Sequence, residues 1–226
     1  GYFFVYSPME IARHASVYSR LTEDPPFSIT KVDHPRRGYS EVILTTWDTP
    51  GLLSKVAGVF ASKNVNILGV RINVRRDRKV MDTYHINDFQ KKALTDESRW
   101  EKVKNDLAGV LKGSINVEDL VARGRRPSIV KERMARRIPS KVIVDNHSSD
   151  LCTIVDVYTH DRPGLLYTIT NTLYRLGLYI AISKISTKVD QVADVFYVQD
   201  LEGRKIMDRK KLDEIVAKLR GAIDAA

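Results

Sequence analysis

Six residues, Asp48-Thr49-Pro50-Gly51-Leu52-Leu53, return 113 positions later as Asp161-Arg162-Pro163-Gly164-Leu165-Leu166. The same displacement pairs Ile67 with Ile180 and Ile72 with Ile185. After a one-residue deletion it pairs Asp82 with Asp194 and Asp88 with Asp200. A single repeat of this length excludes a solenoid, which needs at least three units to bury a continuous core. It requires two copies of one small domain in tandem, which 226 residues accommodate.

Each copy carries the same succession of local signals. Val42 to Trp47 and Thr153 to Thr159 are rich in β-branched and apolar residues and read as strands. The Pro-Gly pair interrupts, and apolar residues then recur at helical spacing: Leu52, Leu53, Val56, Val59 and Phe60, then Leu165, Leu166, Ile169, Leu173 and Leu176. Asn64 and Gly177 are stop signals for these helices. Strands follow from Asn66 to Arg75 and from Tyr179 to Lys188. In them Val70, Ile72 and Val74 alternate with Arg71, Asn73 and Arg75, and Lys184, Ser186 and Lys188 repeat the polar side. That alternation predicts a sheet with one wet face and one helix-covered face. The short turns Arg76-Asp77-Arg78 and Asp190-Gln191 lead to third strands ending at Asp88 and Asp200. Second helices are lined by Trp100, Val103, Leu107, Val110 and Leu111, and by Leu212, Ile215, Val216, Leu219 and Ile223. The order is β-α-β-β-α, with a fourth strand expected: Pro139 to Val144 for the first copy, and Phe27 to Val32 at the open edge of the second.

Charge and cysteine usage narrow the function classes. Between Val121 and Lys141 eight basic residues face one acidic residue, so this stretch carries +7 of the chain's net +9. The basicity belongs to a connector, and no aromatic residue interleaves its arginines to stack bases. A nucleic-acid module using this strip is the remaining reading of that kind, and nucleic acid is not the expected partner. No window approaches the roughly 20 apolar residues of a membrane helix, so no membrane partner is expected. A single cysteine, Cys152, excludes an internal disulfide framework and fits a cytoplasmic location; a buried thiol is expected there. The first residues lack both a signal-peptide pattern and an initiator Met, as expected of part of a longer protein. Trp47 and Trp100 are expected in the core.

The repeated turn carries the chemistry. Proline suits the first turn of a helix, and glycine permits a close approach of another group. The amides of Gly51, Leu52 and Leu53, and those of Gly164, Leu165 and Leu166, then form an anion site suited to an α-carboxylate. Asp48 and Asp161 supply the opposite charge, suited to an α-ammonium group. A purely structural alternative is that each aspartate caps its own helix.

The motif Asp161-Arg162-Pro163-Gly164-Leu165-Leu166, followed by Leu176-Gly177-Leu178-Tyr179-Ile180, resembles the ACT domain, a β-α-β-β-α-β module that often binds amino acids. Asp145-Asn146-His147-Ser148-Ser149-Asp150 and Ala193-Asp194-Val195-Phe196-Tyr197-Val198 are similar to the tandem ACT region of a family of uridylyltransferases that modify the nitrogen-regulatory PII protein. So is the N-terminal stretch from Tyr2-Phe3 to Ile11-Ala12-Arg13-His14. The resemblance implies an α+β fold of two ferredoxin-like βαββαβ ACT domains with antiparallel sheets and helices on one face. It implies an N-terminal segment 1–37, a first ACT domain 38–144 with the basic insertion 121–141 before its last strand, and a second ACT domain 145–226. It further implies glutamine as ligand and PII as a partner of the parent enzyme. Because ACT domains pair, Asp48 and Asp161 should face Asn66-Ile67 or Tyr179-Ile180 of a neighbouring copy, in this chain or a second one. The implied ligand set is Asp48, Gly51, Leu52, Leu53, Asn66, Ile67, Asp161, Arg162, Gly164, Leu165, Leu166, Tyr179 and Ile180. Thr49 stands where the second copy has Arg162, which argues against equal sites. The runner-up is an amino-acid-binding ACT module of some other enzyme or regulator.

Catalytic machinery is not expected in this chain. No Asp-x-Asp pair is present to hold Mg²⁺ and nucleotide phosphates, so Mg²⁺ is expected only in further catalytic domains of the parent. The dipeptide His160-Asp161 sits in the turn, and His14, His34, His85 and His147 lack ligand spacing. No cofactor or metal is therefore expected.

Overall fold

Residues 7–22, 26–74, 77–124, 140–185, 187–188 and 191–225 are described by the structure, a computed structural model. The six basic residues from Arg125 to Arg137, together with Tyr2-Phe3, Pro139, Arg76 and Asp190, lie outside the described residues. The first copy contains β1 (Phe27–His34), β2 (Tyr39–Trp47), α2 (Leu52–Ser62), β3 (Val65–Arg71), β4 (Lys79–Asp88) and α3 (Glu97–Leu111). The second contains β5 (Lys141–Asp145), β6 (Thr153–His160), α5 (Leu165–Arg175), β7 (Leu178–Lys184), β8 (Thr187–Lys188), β9 (Gln191–Asp200) and α6 (Arg209–Ala225). Two further helices, α1 (Pro8–Ser19) and α4 (Val117–Gly124), lie before the first copy and between the two.

Both sheets are antiparallel, with strand orders β1-β2-β4-β3 and β5-β6-β9-β7; β8 adds a short pairing to β9. This is the expected α+β architecture of two ferredoxin-like sheets. The connectivity differs from the expectation at each open edge. Phe27–His34 pairs with β2 of the first copy, from Phe27 against Thr46 to His34 against Tyr39. Lys141–Asp145 pairs with β6 of the second, from Lys141 against Tyr158 to Asp145 against Ile154. Each unit therefore runs β-β-α-β-β-α, and the boundaries 38–144 and 145–226 each leave an edge strand on the wrong side. The reason is chain economy: strands joined by a short connection pair with one another, because closing a short loop costs little entropy. A 3₁₀ turn, Pro35–Arg37, and Gly38 at φ +73° suffice to reverse the chain between β1 and β2.

Apolar alternation buries one face of each sheet under its helices. Val42, Leu44, Val80, Tyr84 and Ile86 meet Val56, Phe60, Val103 and Leu107 in the first copy; Val155, Val157, Phe196 and Val198 meet Ile169, Leu173, Ile215 and Leu219 in the second. These are parts of one continuous apolar cluster, because α2 packs on α5 and β3 lies beside β7. Asn64 at φ +53° and Gly177 at φ +74° end α2 and α5, as the sequence indicates.

The outer face of the first sheet is not wet. Helix α1 covers it through Val17, which packs with Ile43 and Met81, and through Arg13 bonded at 3.0 Å to Glu41. The helix starts at a capping box, Ser7 and Glu10, with Pro8 at its first position. Trp47 is 39% exposed, against expectation, at the end of β2, where the Lys79 ammonium lies 5.1 Å from its ring and 5.1 Å from the ring of Tyr18 in α1; Trp100 is buried. Cys152 is buried immediately before β6 rather than within a strand, and burial pushes its thiol pKa up.

Candidate functional site

The repeated turns sit at the junction of the two copies. Thr49-Pro50-Gly51-Leu52 is a type II turn: the Leu52 amide donates to the Thr49 carbonyl at 3.1 Å, and Gly51 takes φ +72°, ψ 15°. Arg162-Pro163-Gly164-Leu165 repeats it, with 3.1 Å and φ +79°, ψ 2°. Proline fixes the second residue and only glycine takes the third without strain. This corrects one reading of the turn: the amides of Leu52 and Leu165 close it and are not available, which leaves those of Gly51 and Leu53, and of Gly164 and Leu166, at each helix start. The capping alternative also falls. Gly51 and Gly164 occupy the N-cap positions, and neither helix receives a side-chain cap bond.

Each turn forms one wall of a cleft whose other wall belongs to the opposite copy. The first cleft, about 440 Å³ with its open mouth, sets Asp48, Gly51, Leu52 and Leu53 against Thr170, Tyr174, Tyr179 and Ile180. The second, about 370 Å³, sets Asp161, Gly164, Leu165 and Leu166 against Ala57, Ala61, Asn66 and Ile67. The repeat relates the two walls position by position: Asn66 corresponds to Tyr179, Ile67 to Ile180 and Ala61 to Tyr174. One chain thus forms both clefts by itself.

The polar contacts across the clefts involve the turn aspartates. In the first, the Tyr179 hydroxyl donates to Asp48 Oδ2 at 3.0 Å, and the Asp48 amide donates to the Arg78 carbonyl at 2.8 Å. Burial, and then the Asp48 charge, raise the Tyr179 pKa well above its usual range, so the phenol keeps its proton. In the second, Asn66 Nδ2 lies 3.5 Å from Asp161 Oδ2, at the outer limit of a hydrogen bond. Arg162 lines this cleft, but its guanidinium donates to the Ile223 carbonyl in the last turn of α6. It ties the turn to that helix.

A second aspartate accompanies each turn aspartate, and the ligand set implied by the ACT resemblance includes neither. Asp82 lines the first cleft and Asp194 the second, each buried on the helix-facing side of its strand, β4 and β9 respectively. Asp82 accepts from the Asn73 amide at 3.3 Å and from the Tyr84 hydroxyl at 3.1 Å. Burial nevertheless dominates, with Asp48 adding repulsion, and raises its carboxyl pKa from 3.8 to about 7. The signal was present in the sequence: in both copies an aspartate interrupts an apolar alternation, between Val80 and Tyr84 and between Val192 and Phe196. Tyr174, which lies over the first turn, carried no such signal. Among the described residues, no three His, Cys, Asp or Glu side chains converge to hold a metal, and no helix is long and apolar enough to cross a membrane.

Two antiparallel four-stranded sheets, each with a Pro-Gly turn opening into a helix at an interdomain cleft, define a tandem ACT pair. Family models agree: an ACT domain matches residues 42–97, and an ACR9-like, ACT-like domain matches residues 141–225. The chain belongs to the ACT-domain family. It is similar over its whole length to curated proteins named bifunctional uridylyltransferase/uridylyl-removing enzyme. The one from Rhodospirillum rubrum is 33% identical, covering 100% of this chain and 24% of the relative. The one from Azospirillum brasilense is 31% identical, covering 99% and 24%, and the one from Gluconobacter oxydans 29%, covering 89% and 21%. The chain thus spans about a quarter of the length of the relatives it matches.

Proposed function

We propose that this chain is a regulatory, amino-acid-sensing region of a PII uridylyltransferase/uridylyl-removing enzyme, and that L-glutamine is its ligand. The observation that carries the reading is the interdomain cleft itself. A turn with two amides not used by its helix, beside a carboxylate, offers complementary partners for the carboxylate and ammonium ends of an α-amino acid. The whole-length similarity to enzymes of that name supports glutamine in particular, and PII as the partner of the parent in the cytoplasm.

A ligand held between two domains favours the paired arrangement over the separated one, which is how occupancy becomes a signal: a ligand shifts an equilibrium only by its different affinity for the two states. A sensor of an abundant metabolite works near the metabolite's own concentration. At a Kd of about 1 mM the binding free energy is about −4 kcal/mol. At ten times that concentration the folded chain gains about 1.4 kcal/mol. The test is thermal unfolding and calorimetry of the 226-residue chain against each of the twenty amino acids. Glutamine should raise Tm and release heat; no response to glutamine would refute it as the ligand, and no response to any amino acid would refute the sensing role.

A further inference from the structure

The two clefts are built on the same plan but are not in the same condition. At the first turn, a Cβ placed on Gly51 would lie 2.9–3.0 Å from the ring of Tyr174, so the aromatic face rests directly on the turn peptide. At the second, a Cβ on Gly164 would find its nearest neighbour, the Ala61 methyl, at 3.7 Å. Tyr174 and Ala61 are equivalent positions of the repeat. The same replacement recurs one strand further on, where Tyr179 stands for Asn66. The phenol of Tyr179 presents a single donor, aimed at Asp48 at 3.0 Å. The carboxamide of Asn66 has both donor and acceptor atoms and lies 3.5 Å from Asp161. It can therefore hold either end of a zwitterion.

From these differences, and resting on the amino-acid-sensing reading above, we infer that the second cleft alone takes the ligand, and that Tyr174 and Tyr179 act as an internal latch that fills the first. The Tyr179 hydroxyl takes the place of a ligand cation at Asp48, and the Tyr174 ring covers the approach of a carboxylate to the turn amides. The larger volume of the first cleft does not reopen it. Val74, which has no described counterpart in the lining of the second, adds apolar wall and leaves the polar anchor points covered. The latch side chains belong to the second copy, on α5 and β7. Helix α5 is also the helix that begins at the turn of the second cleft. The occupied cleft and the latched one therefore share an element.

The inference is tested by isothermal titration of the intact 226-residue chain with L-glutamine, after a screen of all twenty amino acids to confirm the ligand. The wild type should bind one ligand per chain. Asp161→Asn, which preserves shape, should weaken binding at least tenfold, and Asn66→Ala, in the opposite wall of the same cleft, should do likewise. Asp48→Asn should leave the Kd within twofold. The double variant Tyr174→Ala/Tyr179→Phe should raise the stoichiometry towards two. Thermal melts identify folded variants, and either Asp161→Asn or Asn66→Ala suffices to read the second cleft. Two equal sites in the wild type, or loss of binding in Asp48→Asn with retention in Asp161→Asn, overturns the latch while leaving the sensing role intact. The absence of heat with every amino acid overturns both.

Discussion

Asp82 makes the first cleft's effect on stability depend on pH, and its size follows from the surroundings of one carboxyl group. The side chain is 2% exposed, and its pKa is raised from 3.8 to about 7, first by burial and then by the Asp48 charge. In the unfolded chain it titrates at its ordinary value. Between the two values the folded protein holds a proton that the unfolded protein has lost, so stability falls as pH rises through this window. The contribution is fully present below about pH 4 and gone above about pH 7, and the gap corresponds to about 4 kcal/mol. Asp82→Asn keeps the shape and an acceptor for the Asn73 amide but cannot ionise. Urea unfolding at half-unit steps from pH 4.5 to 8 should show the variant gaining on the wild type as pH rises, by a few kcal/mol in total. Other groups act in the opposite sense. Burial lowers the pKa of His14, and the nearby His85 imidazole lowers that of Glu41, so both contributions are lost as pH falls. The difference between variant and wild type removes them. A flat difference curve across the window would refute the assignment of a buried, proton-holding carboxyl at the cleft.

The two turn glycines should respond unequally. Gly164→Ala, at φ +79° with the Ala61 methyl at an ordinary contact distance of 3.7 Å, should cost about 1–2 kcal/mol in urea unfolding, the expense of a left-handed residue with a Cβ. Gly51→Ala should cost at least as much and also displace Tyr174, visible as a change in tyrosine fluorescence that Gly164→Ala does not produce; equal spectra would contradict the contact. Ser7→Ala removes the side-chain half of the capping box of α1 and should cost about 1 kcal/mol. Hydrogen exchange should localise the loss to α1, and uniform loss across the first sheet would show that this helix does not open separately.

The interior of each copy was legible because it depends on local signals that repeat. The turn, the helix stops at Asn64 and Gly177 and the apolar faces of β2 and β4 are set by neighbouring residues, and the second copy confirms each by recurrence. The edges were harder to place. The alternation in Phe27–His34 and Lys141–Asp145 marks strands without saying which sheet they join, and the βαββαβ order of the family pointed to the later strand. Proximity along the chain decided otherwise. Helix α1 lies outside the repeat and was not anticipated, and nothing in one sequence showed that it would cover Glu41 and Ile43. At the candidate site, the turn residues could be read from the repeat, and the opposing strand positions were implied by the resemblance to ACT domains. Tyr174 could not, since an aromatic residue on a helix reads equally as core. Asp82 and Asp194 were visible as a recurring pair, and their meaning emerged only with their burial.

The placement of the edge strands decides where this chain can be divided. A cut between residues 124 and 140 leaves each half with its complete sheet, β1 with the first and β5 with the second. A cut at 144, where a βαββαβ boundary would fall, strips β5 from β6. It leaves Thr153–His160 as a bare margin with a row of unpaired amides and carbonyls, the kind of strand that recruits foreign chains. Aggregation of a half made that way would not by itself show that one ACT domain needs its neighbour, since the missing margin adds to the apolar surface that α2 and α5 bury together. Gene dissections meant to ask whether the domains depend on each other should keep Lys141–Asp145 with the C-terminal half.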